Sequence, residues 1–239
     1  MKKYIKYMVF VIVSLVLMVA SIYEIKESSE AVMKYMPVTN KVIVLDAGHG
    51  GIDSGTLSSD KTVVEKEINL LITHKIRELL ESSGAHVILT REDDSSLYIE
   101  DGNKTIRQKY NENLKNRKQI IEDSNADMFV SIHMNALTGA GASKYYGAQT
   151  FYPAGKEDSI KLSKTIQQEL KRVVDNTNNR EIKPRNDLYL LKDNKIPSVL
   201  IECGFLSNEK EAKLLIDEKY QEKIAWAIYV GIQNYFTTK

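Results

Sequence analysis

The stretch VIVLDAGHGGIDSG, residues 42–55, decides the fold, because a continuously apolar run gives way at once to a glycine-rich polar turn. The stretches MFVSIHMNA (128–136) and SVLIECGFLSN (198–208) repeat the apolar run with polar residues at its end. Apolar runs without alternation are typical of parallel strands that are covered on both faces. The chain is therefore predicted to form an α/β domain around a mostly parallel sheet.

Short apolar runs alternate with helical patterns from residue 41 to the end of the chain. The predicted strands are Val42–Asp46, His86–Thr90, Met128–His133, Ala148–Tyr152, Leu188–Leu191 and Ser198–Glu202. Apolar residues recur every three or four positions in 68–80, a pattern that predicts a helix ended by Gly84. Further helical patterns span Ile106–Asp123, Asp158–Val174, Asn208–Ile216 and Lys219–Phe236. This alternation predicts one α/β domain flanked by helices.

The first 23 residues are predicted to lie outside that domain. Tyr7–Tyr23 is a run of 17 residues without a charge, and three lysines precede it. A basic start before an apolar run is an export signal, and this run is near the lower limit for spanning a bilayer. Residues 1–23 are therefore an uncleaved membrane anchor or a cleaved signal, 24–40 a polar linker and 41–239 the folded domain. In both cases the domain is expected outside the cytoplasmic membrane.

The composition excludes several classes of protein. Hydrophobic residues make up 43% and charged residues 27% of the 239 residues, the balance of a chain that buries a core. The formal net charge of +1 provides no field that would attract nucleic acid. A single cysteine, Cys203, excludes an intramolecular disulfide framework and a multi-thiolate zinc site. Cys203 is predicted to be a buried apolar thiol rather than a nucleophile.

Two of the four histidines lie at the ends of predicted strands, His49 after the first and His133 at the end of the third. In an open α/β sheet, ligands bind in the crevice beyond the carboxyl ends of the strands. A lone histidine more often caps a turn through a hydrogen bond. The glycines on both sides of His49 favour a site instead, because they let the backbone approach a ligand closely.

A carboxylate would complete a metal site at this edge. Two imidazoles and one carboxylate form the usual protein shell of a catalytic zinc, with a fourth position left for water. Glu65 and Glu67 both lie near the start of the next helix, but residues two positions apart point about 200° from each other. The choice between them stays open on these grounds, with Asp46 and Asp53 as weaker candidates. Each of these carboxylates could equally serve a helix dipole or a turn.

Glu202 and Asn135 are the remaining candidates. Glu202 ends an apolar strand, where a carboxylate is costly to bury unless a metal or a developing amine pairs with it. The alternative is a structural carboxylate that accepts amide hydrogen bonds from the turn at 204–207. Asn135 lies two residues after His133, where its amide could contact a peptide or hold the loop.

Four ordered motifs, LDAGHGGIDSG, EKEINL, SIHMNA and PSVLIECGFLSN, resemble the zinc-dependent N-acetylmuramoyl-L-alanine amidases of bacterial cell walls over residues 41–236. The resemblance implies a twisted sheet of about six strands, and hydrolysis of the amide between N-acetylmuramic acid and L-alanine in peptidoglycan. It implies that His49, Glu65 and His133 bind one Zn²⁺ and that Glu202 acts in catalysis. The resemblance thus favours Glu65 over Glu67, and it makes 41–239 a zinc amidase catalytic domain.

The short, membrane-associated architecture without wall-binding repeats is most similar to the germination-specific branch of this family. That branch implies a role in spore cortex maturation through muramic-δ-lactam formation, and a location in the intermembrane space of the forespore. The expected partners are peptidoglycan and the membrane, with an activator protein as a further candidate. Residues 92–116 depart from the family, because they form a longer polar excursion than its usual link.

Two other functions compete with this interpretation. A zinc exopeptidase or another amidohydrolase could use the same shell on a different substrate. A metal-free wall-binding protein at the membrane could retain the fold without the reaction. The four intact site residues argue against such degeneration, since loss of catalysis usually removes at least one of them.

Overall fold

In the computed structural model, which describes residues 2–100 and 102–237, a six-stranded sheet forms the centre of the domain. The strands are β1 (Val42–Ala47), β2 (His86–Leu89), β3 (Met128–Asn135), β4 (Gln149–Tyr152), β5 (Lys183–Pro184) and β6 (Ser198–Phe205). Their order across the sheet is β2-β1-β3-β6-β4-β5. Only the β4–β6 pair is antiparallel within these described strands, so the mostly parallel sheet is confirmed.

Helices cover both faces of this sheet. Helix α1 (Lys2–Tyr35) precedes the sheet in the chain, and the helices on its faces are α2 (Glu65–Ser82), α3 (Ile106–Asp123), α4 (Glu157–Glu169), α5 (Glu209–Leu215) and α6 (Glu218–Thr237). Buried residues of α2, α4 and α6 share one apolar cluster with alternate residues of β1, β3 and β6. Ile121 of α3 belongs to a second, smaller cluster on the opposite face. The predicted helices of the domain are therefore all present, and α4 ends in a π-helical turn at Leu170–Val174.

The alternation of side chains along the strands decides which face carries the polar residues. Ile132 and Ile201 enter the larger cluster, whereas Phe129 and Leu200 enter the smaller one. Because successive residues of a strand point to opposite faces, His133 and Glu202 must lie on the α3 face. The register places these two residues directly opposite each other on β3 and β6.

One predicted strand was wrong. Leu188–Leu191 forms a turn, in which the backbone N–H groups of Leu191 and Lys192 both donate to the carbonyl of Leu188. Leu191 is buried in the smaller cluster, so the run is apolar because it covers the sheet. A run of four apolar residues cannot distinguish these roles. The sixth strand is instead β5, two exposed residues whose composition carries no strand signal.

The segments 24–40 and 92–116 both contain helical turns in the structure. Of residues 24–40, α1 takes up those as far as Tyr35, because no proline or glycine interrupts the chain before Pro37. Val38 is fully buried and belongs to the larger cluster. Of residues 92–116, those from Ile106 onward form the first turns of α3, which Thr105 caps through a reciprocal pair of hydrogen bonds with Gln108.

The first helix contains a segment that is long and apolar enough to cross a membrane. This segment, Tyr4–Ser28, has 25 residues, and none of it is buried against the rest of the chain. The exposed apolar helix agrees with the predicted anchor or signal in length and composition.

Candidate active site

The candidate site lies where β1, β3 and β6 end at the same edge of the sheet. His49 follows β1 by two residues, and His133 and Glu202 stand side by side on β3 and β6. Helix α2 begins at Glu65, which is buried, whereas Glu67 is exposed. Of the two glutamates that the sequence left open, Glu65 is the one beside the histidines.

His49, Glu65 and His133 converge on a small volume. Glu65 Oε1 lies 3.1 Å from His49 Nε2 and 3.1 Å from His133 Nδ1. One ligand atom from each of the three residues lies within 4.8 Å of the others. A tetrahedral shell of radius ~2.1 Å would place its ligand atoms about 3.4 Å apart. The three side chains therefore suit one small divalent metal ion after minor adjustment.

Two glycines leave room for this convergence. A Cβ on Gly48 would lie 2.3 Å from the imidazole of His133, and one on Gly55 would lie 2.6 Å from Glu65 Oε2. Gly55 also has φ +65°, and His49 itself adopts φ +64°, which side-chain-bearing residues rarely do. Any side chain at 48 or 55 would push a candidate ligand away, which explains the glycine-rich turn.

Hydrogen bonds fix the orientation of the candidate ligands. His49 Nδ1 donates to Asp53 Oδ2 at 2.8 Å, which leaves Nε2 facing Glu65. The amides of Thr56 and Met134 donate to Glu65 at 2.7 and 3.0 Å. Asp53, a weaker ligand candidate in the sequence, thus orients His49, as partners of metal-binding histidines commonly do.

The charges of the site favour a cation between these residues. Burial lowers the pKa of His49, but hydrogen bonds to Asp53 and Glu65 outweigh it and raise the pKa to about 10. Burial raises the pKa of Glu65, but the hydrogen bonds from His133 and His49 hold it well below its usual value. Asp53 and Glu65 therefore attract positive charge to His49, and a metal ion would take the place of that proton.

Asp46, the other weaker candidate, is not part of this set. Its buried carboxylate accepts hydrogen bonds from Thr90 and Ser131 at 2.6 Å each, and from Arg117. Arg117 also donates to the backbone carbonyls of Ala47, at 2.8 Å, and of His49. The ion pair between Asp46 and Arg117 therefore supports the turn that carries His49.

Sequence reasoning missed Arg117, because an arginine within a polar helix is usually exposed. Its side chain is 2% exposed. One signal could have identified it: Arg117 precedes Ile121 by four residues and therefore shares the buried face of α3.

Glu202 differs from Glu65, Asp53 and Asp46 because one of its buried oxygens has no hydrogen-bond partner among the described residues. Its Oε2 is buried and lacks a hydrogen-bond partner in the described part of the chain. Burial raises the pKa of Glu202 to about 7, against the smaller influence of the nearby histidines. The structural role weighed for Glu202 belongs instead to Glu211, which accepts from the amide of Phe205 at 2.8 Å. An unpartnered carboxyl group with this pKa suits proton transfer near neutral pH.

The remaining candidates lie around the site without joining it. The backbone carbonyl of Asn135 accepts from the amide of Leu206 at 2.9 Å and joins the ends of β3 and β6, while its side chain stays a candidate for peptide contact. His74 Nε2 lies 2.9 Å from the Glu92 carbonyl, and His86 is exposed at the start of β2.

Cys203 is fully buried on the opposite face from Glu202, and burial raises its thiol pKa well above the usual value. This environment agrees with the prediction that Cys203 is a buried apolar thiol rather than a nucleophile.

A cavity of about 220 Å³ opens onto the two histidines. Its other wall consists of Tyr110 and Leu114 from α3 and Leu190 from the loop after β5. Tyr110 and Leu114 belong to the predicted helix Ile106–Asp123, whereas Leu190 lies in a segment that was predicted to be a strand. The shape of the cleft is therefore decided by chain segments that do not belong to the sheet.

Comparisons with known proteins agree on one family. Residues 43–234 match the family model described as N-acetylmuramoyl-L-alanine amidase. The chain is 38% identical over 239 residues to the germination-specific N-acetylmuramoyl-L-alanine amidase of Bacillus subtilis, covering 100% of this chain and 98% of that protein.

Solved structures give the same result. The CwlD amidase from Clostridioides difficile, in complex with the GerS lipoprotein, is 74% identical with a TM-score of 0.82 and covers 84% of this chain and 100% of its own. An N-acetylmuramoyl-L-alanine amidase from Clostridium difficile 630 is 32% identical with a TM-score of 0.71, covering 84% of this chain and 99% of that one.

Proposed function

The chain belongs to the N-acetylmuramoyl-L-alanine amidase family, and we propose that it hydrolyses the amide joining the lactyl group of N-acetylmuramic acid to L-alanine in peptidoglycan. The observation that carries this proposal is the convergence of His49, Glu65 and His133 beside the unpartnered carboxylate of Glu202. Full-length similarity to a germination-specific amidase supports a role in the spore cortex, where such cleavage prepares muramic-δ-lactam.

Zinc is the ion that we assign to the site. Two imidazoles and one carboxylate form a donor set of catalytic zinc, and the Asp53 carboxylate on His49 is the kind of outer partner that such sites use. His49, Glu65 and His133 would hold the ion, which would supply Lewis acidity to polarise the scissile carbonyl and lower the pKa of water.

Glu202 carries the proton in this mechanism. Its Oε2 has no hydrogen-bond partner among the described residues, so it is free to accept a proton from the attacking water. Glu202 then passes that proton to the departing alanine nitrogen, because an amide anion is too basic to leave unaided. Pairing of β3 with β6 keeps Glu202 beside His133, and therefore beside the scissile carbonyl. Asn135 stays a candidate for contact with the stem peptide.

The amino-terminal helix supports a location outside the cytoplasmic membrane. Its apolar segment would serve as an anchor or export signal, with 41–239 as the catalytic domain. In the spore setting, the domain would lie in the intermembrane space of the forespore. The solved complex of the similar CwlD amidase with the GerS lipoprotein supports an activator partner for this chain.

Product analysis tests the proposed reaction. We expect purified peptidoglycan to yield intact glycan strands and free stem peptides that begin with L-alanine, as identified by mass spectrometry. Emission spectroscopy should find one zinc ion per chain. The His49→Ala variant should lose both zinc and activity, because it lacks one candidate ligand, while His86→Ala, at an exposed histidine outside the site, should retain both.

Two outcomes would contradict the proposal. Stem peptides that stay attached to muramic acid but lose a terminal residue would indicate an exopeptidase, and cleavage of a different amide would indicate another amidohydrolase. Full zinc content and activity in His49→Ala would show that the metal site is assigned to the wrong residues.

A further inference from the structure

The position of Glu202 sets the direction in which the leaving peptide extends. In the sheet, β6 lies between β3 and β4, so the histidines are on one side of Glu202 and β4 and β5 on the other. Glu202 must reach the departing nitrogen in order to protonate it. The nitrogen therefore lies on the same side of the scissile carbonyl as Glu202. The stem peptide is therefore directed over β4 and β5, and the sugar lies on the side of α3.

Arg185 occupies the path of that peptide. It directly follows β5, and its amide donates to the Tyr152 carbonyl at 2.8 Å. Its guanidinium carbon lies 5.5 Å from the centre of the Phe151 ring. Phe151 belongs to the smaller cluster, on the face that carries Glu202, and Gln149 of the same strand pairs with Glu202. The charges of Arg185 and Glu202 are close enough to interact.

Arg185 is accessible and already engages a carboxylate. Its Nε and Nη2 donate to the two carboxylate oxygens of Asp187 at 2.6 Å each. The two side chains are 41% and 68% exposed, so this ion pair contributes little and can exchange. Nη1 of Arg185 has no hydrogen-bond partner within residues 2–100 and 102–237, which leaves a second donor edge open.

The neighbouring Arg180 has a different role. It donates to the Tyr146 carbonyl at 2.6 Å and to Gln149 Oε1 at 3.2 Å. Its guanidinium also lies 4.4 Å from the centre of the Phe205 ring. Arg180 is thus committed to holding the loops of this wall together, whereas Arg185 has donors to offer a ligand.

Building on the proposed function, we propose that Arg185 is a positioning residue that binds the free α-carboxylate of the second stem-peptide residue. In peptidoglycan this residue is a glutamate that is joined through its side-chain carboxyl group. A guanidinium binds a carboxylate through two parallel hydrogen bonds, which fix direction as well as distance. Arg185 therefore selects stems whose second residue is acidic over stems in which that carboxylate is amidated.

The test compares two substrates that differ at this one group: N-acetylmuramoyl-L-alanyl-D-glutamate and N-acetylmuramoyl-L-alanyl-D-isoglutamine. For the acidic substrate, Arg185→Gln should lower kcat/KM about tenfold, mainly through KM, because a charge-assisted hydrogen bond is lost. For the amidated substrate it should change little. Arg185→Lys should retain part of the preference. The control Arg172→Gln removes a similar exposed arginine, paired with Glu169 next to α4, and should change neither rate.

Each failure has its own signature. If Arg185→Gln slows both substrates equally, Arg185 only supports the fold; if it slows neither, the carboxylate binds elsewhere. Both results overturn the proposal. A wild-type enzyme that cleaves neither substrate, nor peptidoglycan, would overturn the proposed function and this inference with it.

Discussion

At the scale of single residues, Glu202 is a half-buried carboxylate with one buried oxygen that has no hydrogen-bond partner among the described residues. Burying a carboxyl group without a hydrogen-bond partner is unfavourable, and the protein accepts that cost at Oε2 of Glu202. The other buried glutamates of this edge, Glu65 and Glu211, each accept backbone hydrogen bonds. An unsatisfied buried oxygen on an ionisable side chain beside the candidate metal ligands indicates function rather than stability.

Replacing Glu202 by glutamine should separate proton transfer from binding. The amide keeps the size of the side chain but cannot accept the proton, so we expect kcat to fall by ~10²–10⁴, or about 3–5 kcal/mol of barrier. KM should change little, and zinc content should be unchanged in emission spectroscopy. Glu67→Gln, at an exposed glutamate of α2, is the matched control and should behave as wild type.

Two results would revise the role of Glu202. Loss of zinc in Glu202→Gln would make the carboxylate a metal ligand. Near wild-type turnover would show that another group acts as the base.

At the scale of elements, the joint between β1 and α3 holds the site together. Burial raises the pKa of Asp46, but Arg117 and the hydroxyls of Ser131 and Thr90 outweigh it and lower the pKa to about 2. Arg117 also holds the carbonyls on both sides of Gly48. One ion pair between two elements thus fixes the turn that positions His49.

This ion pair should show itself in the pH dependence of stability. The pKa of Asp46 is lower in the folded state than its ordinary 3.8, so its contribution is present above that pH and is lost as pH falls toward about 2. The difference amounts to about 2 kcal/mol. At pH 7, Asp46→Asn should cost about 3–5 kcal/mol, because Arg117 stays buried without its counter-charge. Between pH 4 and 2 the gap to wild type should narrow.

Urea unfolding at a series of pH values measures this effect. Asp93→Asn, at an exposed aspartate of the nearby loop, should follow wild type throughout. A gap between wild type and Asp46→Asn that stays constant down to pH 2 would show that Asp46 stabilises the fold through its shape rather than its charge.

At the scale of the whole molecule, α1 leads into the domain at the end of the sheet opposite to the site. The chain enters the domain at the start of β1, whereas the site lies beyond the end of the same strand. Six residues of strand span about 20 Å. A domain attached through α1 therefore has its crevice at the edge away from the point of attachment, where a wall polymer can reach it.

The location is testable with a reporter at the carboxyl terminus. The 25 residues of Tyr4–Ser28 would span ~37 Å as a helix, enough for the ~30 Å core of a bilayer. We expect an alkaline phosphatase fused to the full chain to be active outside the cytoplasm. The same fusion without residues 2–28 should stay inside and inactive. A full-length fusion as inactive as the fusion without residues 2–28 would contradict the export of the domain.

The sequence by itself determined much of the architecture, because helices, strands and strand ends are recorded in local patterns. The period of apolar residues predicted β1, β3, β6 and the flanking helices, and the rule for strand ends brought His49, His133 and Glu202 to one edge. A helical angle alone could not choose between Glu65 and Glu67, since that choice depends on which face packs against the sheet.

Only the tertiary structure decided the features that depend on distant partners. Arg117 is buried because Asp46 meets it from 71 positions away, and β5 is a strand because β4 offers it an edge. Leu188–Leu191 covers the smaller cluster instead of joining the sheet. The spacing of apolar residues indicates whether a segment is a helix or a strand, but not which distant segment it packs against. Pairing across long stretches of chain is settled by the total burial and hydrogen bonding of the fold.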